Sequence, residues 1–266
     1  KKNYNIVFFL RRFGSLFIIG IMHLLFLWSG DILHLYGMFG FILLLFFKFS
    51  PRVILWSAII IFIFPFYSVL FEQLMTWFSF DYSAKLSALS RGEIVNLKHN
   101  GSFLSGVTLR LKEYSFAAGL IYSGIAPIAL SMMLLGGYLV KKGFLKNISE
   151  WVSRVKIYLF VSLIVLICFR FILLSWILPT FQIPFGSPLS ITLYTLFQLS
   201  DIALSLSYLW TIAFLFRLPL FKRILAPLRH VGRAALSNYI LQSVLGYLIM
   251  RTFNGYEFFS AFECIL

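Results

Sequence analysis

Charge is scarce in this sequence. Only 12% of its 266 residues are charged, and acidic side chains number 9 in all, whereas a soluble domain carries about 25% charge. Cysteine is nearly absent too. Cys168 and Cys264 lie in or beside apolar segments with no CxxC spacing and no neighbouring histidine, which excludes a disulfide framework and a cysteine zinc site. No spacing of His, Cys, Asp or Glu suggests any other metal, and no Gly-rich phosphate loop follows a strand pattern. Internal repeats and low-complexity tracts are lacking as well.

Apolar residues fill the space that charge leaves. They make up 61% of the chain, with 32 phenylalanines, more than the interior of a soluble domain of this size can hide. Composition therefore points to an all-α, polytopic transmembrane bundle, whose first partner is the lipid bilayer. The net charge of +14 is read as lipid-headgroup and cytoplasmic-loop charge, not as a nucleic-acid footprint.

Seven segments are long enough to approach or cross a hydrocarbon core of about 30 Å: 13–29, 32–47, 53–71, 116–140, 157–178, 189–216 and 236–250. The first is no signal peptide, because no small-residue cleavage site follows it and a second span begins almost at once. Counting Lys and Arg by loop predicts that the N-terminus lies inside. That places Lys1, Lys2, Arg11, Arg12, Lys48 and Arg52 on the inner side, with five more cations in 141–156 and five in 217–233. The short outer loops carry none, and alternation through seven crossings puts the C-terminus outside. The expectation is one transmembrane domain, 1–266, interrupted by an extracytoplasmic loop, 72–115. That loop reads as an interfacial helix or as a lid, with Trp77, Phe78, Phe80 and Tyr82 as interfacial aromatics.

Ionisable groups inside such spans are costly and face the bundle interior or a water-filled cavity. His23 lies about two turns below the outer end of the first span, and Asp31 and His34 straddle the turn into the second. These three form a candidate proton- or hydroxyl-handling cluster with catalytic roles; the blander reading is a hydrogen-bonded core histidine and a capped turn. Arg170 and Asp201 have opposite charge at compatible depths on consecutive spans, with Gln198 one turn from Asp201. They either fix helix register or line a binding cavity. Arg229, His230 and Arg233 precede a helix bearing Asn238 and Gln242. This stretch is either a cationic anchor followed by helix–helix hydrogen-bonding groups or a binding site for an anionic headgroup or nucleotide phosphate.

The ordered blocks Arg11-Arg12 with IIGIMHLLFLWSGDILHLYGMFG (18–40), MLLGGYLVKKGF (133–144) and VGRAALSNYILQS (231–243) resemble the YeiB-like bacterial membrane proteins, the domain of unknown function 418. By that pattern, and with Lys rather than Met at position 1, the chain is expected to be shortened at both ends. The resemblance implies a multi-pass protein of the bacterial cytoplasmic (inner) membrane. It also implies a distant similarity to transmembrane acyltransferases, with cytoplasmic acyl-CoA as donor, an envelope glycan or lipid as acceptor and no firmly bound cofactor. Arg12 and His23 reproduce the Arg-x10-His spacing of acyltransferase family 3 enzymes, so the resemblance gives Arg12 to the CoA phosphates and His23 to base catalysis. The rival expectations are a small-solute transporter, with the same charges lining its path, and a structural membrane subunit.

Overall fold

A computed structural model describes residues 6–64, 66–78, 93–94, 96–97, 101–146, 148–181 and 188–252. Phe80, Tyr82, Lys1, Lys2 and Cys264 lie outside the described residues. Among the described residues there are ten continuous helices and no strand. In chain order they are α1 (Ile6–Phe26), α2 (Leu33–Phe46), α3 (Pro51–Ile63), α4 (Tyr67–Trp77), α5 (Phe103–Lys141), α6 (148–181), α7 (Pro188–Leu215), α8 (Pro219–Leu225), α9 (Leu228–Arg233) and α10 (Ala235–Thr252). Four of them, α1, α5, α7 and residues Phe160–Ile177 of α6, are long and apolar enough to cross a membrane, and α2, α3 and Ala235–Met250 are shorter apolar helices.

The count of seven is thus corrected to ten. The span expected at 53–71 is two helices. Phe64, which precedes Pro65, takes extended dihedrals (φ −61°, ψ 119°) and ends α3, as the clash of a proline ring with the residue before it requires. The link after α7 folds into α8 and α9 instead of running as loop. The expected 72–115 loop is shortened at both ends, by α4 and by α5. Arg110, Lys112 and Glu113 interrupt the hydropathy run, yet helix continues through them. Ser102 caps its start by accepting from the Ser105 N–H at 3.1 Å. Arg110 Nε donates to the Leu25 carbonyl at 2.6 Å, and Ser29 donates to Glu113 at 2.7 Å. Those charged groups dock on the end of α1, which hydropathy cannot register.

Two π-helical turns, Ile121–Ile125 and Leu173–Ile177, interrupt α5 and α6. Each ends two residues before a proline, Pro127 and Pro179. A proline inside a helix lacks its N–H and crowds the carbonyl four residues back; a widened turn absorbs that misfit without breaking the helix.

The chain divides into two compact units. One holds residues 1–142 and 234–266, the other 143–233. In the first, α1 and α2 form a hairpin so close that a Cβ on Gly20 would lie 2.2 Å from the His34 backbone N, and one on Gly37 would lie 2.7 Å from backbone atoms of Phe17. Such small residues let helix backbones meet where lipid leaves dispersion and hydrogen bonding to hold them. Helix α5 is the spine of this unit. Leu35 and Phe39 of α2 pack on Ile121 and Ala126 of α5, and Ile54 and Ala58 of α3 pack on Leu134. Buried Ser131 donates to the Ala58 carbonyl at 2.8 Å, and Lys141 Nζ donates to the Phe47 and Phe49 carbonyls beyond α2 at 2.6 Å each. The latter two bonds satisfy carbonyls that a helix end leaves open.

In the second unit α6 and α7 pack together. Trp210 Nε1 donates to the Val152 carbonyl at 3.1 Å, and the Arg217 guanidinium donates to Ser153 at 2.8 Å. Outward-facing apolar side chains abound on the long helices, such as Ile18 (60% exposed), Phe171 (70%) and Leu209 (65%). Helices with apolar exteriors and internally satisfied backbones are the form a chain takes in lipid, and the chain is read accordingly as a membrane protein.

Arg170 and Asp201 form an ion pair between α6 and α7, with the Arg170 guanidinium over the Phe197 ring at 4.0 Å. The pair joins as its depths suggest, but it is not buried: the two side chains are 21% and 53% exposed. Arg170→Leu or Asp201→Leu alone strands the opposite charge, whereas the double replacement strands nothing. A double-mutant cycle read by thermal unfolding in detergent is therefore expected to give about 0.5–3 kcal/mol of coupling, with the double variant more stable than the sum of the singles predicts.

Candidate functional site

The polar core of the first unit gathers where the α1–α2 hairpin turns. His23 is in the last turn of α1, and its carbonyl takes the N–H groups of both Leu27 and Trp28 at 2.9 Å, which ends the helix. Asp31 follows in the link, and His34 is the second residue of α2. All three are buried, at 3%, 1% and 4% exposure, so the expected His-Asp-His cluster forms.

Asp31 is its centre. Oδ1 lies 2.9 Å from His23 Nδ1, and Oδ2 lies 2.9 Å from His34 Nδ1. Oδ2 also accepts the His34 backbone N–H at 3.0 Å, tying the carboxylate to the exposed donors at the start of α2. From the far side, Tyr239 of α10 donates to Oδ1 at 3.3 Å and lays its ring 4.9 Å from that of His23. Beyond His34, Nε2 meets the Tyr114 hydroxyl at 2.7 Å, which meets the Tyr122 hydroxyl at 2.8 Å. An ionised carboxylate only accepts, so a neutral His34 donates from Nδ1 and accepts at Nε2 from Tyr114. His23 differs from His34. Its Nδ1 touches the carboxylate off the hydrogen-bonding line, and neither ring nitrogen has a hydrogen-bond partner among the described residues.

Burial works to raise the Asp31 carboxyl. The hydrogen bonds from the His34 side chain and backbone and from the Leu33 N–H, with the positive charge His23 can carry, outweigh it and hold Asp31 below the usual carboxylate value of 3.8. A folded value below the unfolded one adds stability that is complete above pH 3.8 and is lost as pH falls through the folded value. The unfolding midpoint of the protein, minus that of Asp31→Asn, is thus expected to be level above about pH 5 and to fall on the acid side of pH 4.

The other sequence candidates lie elsewhere. Arg12 is exposed on α1, eleven residues or about 16 Å below His23 along the helix. Gln198 is half-buried one turn before Asp201, and Arg233 is exposed at the end of α9. Asn238 is half-buried beside Tyr239, and Gln242 is exposed. Sequence reasoning missed Tyr114, Tyr122 and Tyr239. Tyr114 lay in the stretch assigned to loop, and Tyr239 passed as an ordinary residue of an apolar span although it stands inside the VGRAALSNYILQS block. Its position also carries a correction. Alternation through seven crossings puts Asp31 at the outer face and Tyr239 near the inner one, about 30 Å apart; their hydrogen bond puts them at one depth. Among the described residues no group of three or more His, Cys, Asp or Glu side chains is arranged to hold a metal ion.

Residues 139–265 match the family model described as Protein of unknown function (DUF418). Over 251 residues the chain is also 25% identical to the "Uncharacterized protein YxaH" of Bacillus subtilis (strain 168), covering 89% of this chain and 57% of that protein. The chain thus spans little more than half the length of the curated relative it matches. No solved structure matches. The DUF418 match takes in Arg170, Gln198, Asp201, Arg233, Asn238 and Gln242, and it crosses the boundary between the two units. His23, Asp31, His34, Tyr114 and Tyr122 all precede it. Tyr239, which closes the cluster, lies within the matched stretch.

Proposed function

We propose that this chain works as a multi-pass protein of the bacterial inner membrane, with its N-terminus inside, and that the His23–Asp31–His34 cluster is a general-base centre for acyl transfer. The observation that carries this reading is His23, a buried imidazole against the Asp31 carboxylate, with neither ring nitrogen hydrogen-bonded among the described residues. A buried imidazole set beside a carboxylate, with ring nitrogens that no described group occupies, is suited to taking the proton of an attacking hydroxyl. Acyl-CoA is the donor in this reading, with Arg12 on its phosphates, and the acceptor is an envelope glycan or lipid hydroxyl. An apolar groove of about 500 Å³ lined by Tyr36, Ile125, Ile128, Ala129, Met132 and Met133 supports it. Tyr36 is two residues from His34, and the lining suits an acyl chain.

The test is labelled acyl-CoA with the full-length protein in membranes. A labelled envelope product is expected, and His23→Gln is expected to lower its rate by about 10²–10⁴-fold. Undiminished labelling in that variant removes His23 from the chemistry. The continuous hydrogen bonds from Asp31 through His34 to Tyr122 favour a second reading, proton-coupled transport of a small solute. Solute flux into sealed vesicles without any acyl donor, collapsing when the pH gradient is dissipated, selects that reading over acyl transfer.

A further inference from the structure

The tyrosines behind His34 extend the cluster in one direction only. Tyr114 and Tyr122 sit on α5, eight residues apart, and the second lies in the π-helical turn. Their hydroxyls lie 2.8 Å apart, and the first is 2.7 Å from His34 Nε2. These are ordinary lengths for hydroxyl hydrogen bonds, and they follow one another without a gap to the carboxylate. Tyr122 is only half-buried, with its ring stacked on Phe71 of α4 at 6.0 Å. On the other side, Asp31 is faced by His23 of α1 and Tyr239 of α10, while Arg110 and Glu113 are engaged with the end of α1 and its link.

We propose that His34, Tyr114 and Tyr122 are the proton-exchange arm of the cluster, through which Asp31 trades protons with water at the π turn of α5. The polarity of the bonds sets the step. Tyr122 passes its hydroxyl proton to the Tyr114 oxygen as Tyr114 passes its own to His34 Nε2, and His34 releases the Nδ1 proton to Asp31 Oδ2. A water at Tyr122 restores that hydroxyl and leaves as hydroxide. One proton has then entered, Asp31 is neutral, and His34 has exchanged its Nδ1–H for an Nε2–H. Running the steps in reverse discharges Asp31 and restores the tautomer, so the arm loads and unloads the centre by one path. A merely structural network would tie α2 to α5 without setting any proton rate. The inference deepens the proton-handling reading of the cluster and rests on it, while being indifferent to whether the cluster serves acyl transfer or transport.

The experiment is a flash-induced acid jump on the full chain in lipid nanodiscs, followed by infrared absorption of the protonated carboxyl within milliseconds, before acid unfolding begins. The chain has three aspartates. Isotopically labelled aspartate, with Asp81→Asn and Asp201→Asn variants, assigns the Asp31 band. Tyr114→Phe and Tyr122→Phe keep both rings and are each expected to slow the rise of that band at least about tenfold, the effect of about 1.4 kcal/mol of added barrier, with an unchanged endpoint. Unchanged rates in both variants overturn the proposal, and so does slowing by Tyr114→Phe alone, which would end the arm short of the π turn. If either variant fails to fold, the unmodified protein still decides. Proton uptake in mixtures of light and heavy water is expected to depend on deuterium content with the curvature of several protons in motion, and a linear, single-proton dependence overturns the arm. Failure of the labelling or flux assays leaves this rate measurable, so the arm and the activity fail separately.

Discussion

Asp31→Ala is expected to cost about 3–5 kcal/mol of stability, the loss that follows when one partner of a buried charged network is removed. That is a large fraction of the roughly 5–15 kcal/mol that holds a typical domain together. Four donors lose their acceptor at once, the His34 side chain, the His34 and Leu33 backbone N–H groups and the Tyr239 hydroxyl, and the imidazole of His23 loses the carboxylate beside it. Three of these side chains come from different helices, α1, α2 and α10, so the turn and its contact with α10 loosen together. Asp31→Asn keeps the shape and one acceptor oxygen but no charge, and it is expected to lose less than the alanine variant. Thermal unfolding in detergent, with Arg12→Ala as a control that leaves stability unchanged, measures the difference. If Asp31→Ala unfolds within a degree or two of the parent protein, the cluster is not the polar keystone of this unit.

Gly20→Ala is expected to be nearly as damaging, about 3 kcal/mol, at the upper end of what one overpacked methyl costs. The added Cβ would lie 2.2 Å from the His34 N, 2.8 Å from its Cα and 2.8 Å from the Leu33 carbonyl carbon. All three are backbone atoms, so relief requires moving α2 away from α1. Because the struck residue is His34, the shift also opens the contacts with Asp31 and Tyr114. Gly136→Ala makes the opposite expectation on α5. Nothing lies within 4 Å of its would-be Cβ, and exchanging a mid-helix glycine for alanine stabilises by about 0.5–1 kcal/mol. Unfolding midpoints of the two variants should therefore fall on opposite sides of the parent. If Gly20→Ala is neutral, the hairpin is looser than its backbone separation indicates.

Much of the helical content was legible because apolar length is a local property. Six of the seven expected spans have one continuous helix beneath them while 53–71 is shared by two, and the π turns stand where Pro127 and Pro179 announce a misfit. The membership of His23, Asp31 and His34 in one cluster was also readable, since a tight turn joins consecutive helices and brings their ends together by necessity. Arg170 and Asp201 met for a similar reason: their helices are neighbours in the chain.

Other features have no local signature. Hydropathy cannot see that Arg110 and Glu113 find partners on α1 and the link after it, so it started α5 late and lost Tyr114 with it. Charge counting assigns loops to sides by their cations, and it has no means of registering a hydrogen bond between residues 31 and 239. The half-exposed state of the Arg170–Asp201 pair, the lack of room for a methyl at Gly20 and the chain of hydroxyls behind His34 all depend on distances between helices, which one-dimensional periodicity does not contain. By itself the sequence determined that this chain is helical, apolar on its outside and costly to charge within. Only the tertiary structure decided which of those few costly groups meet, because a buried carboxylate is stabilised by partners that folding brings from α1, α2 and α10 at once.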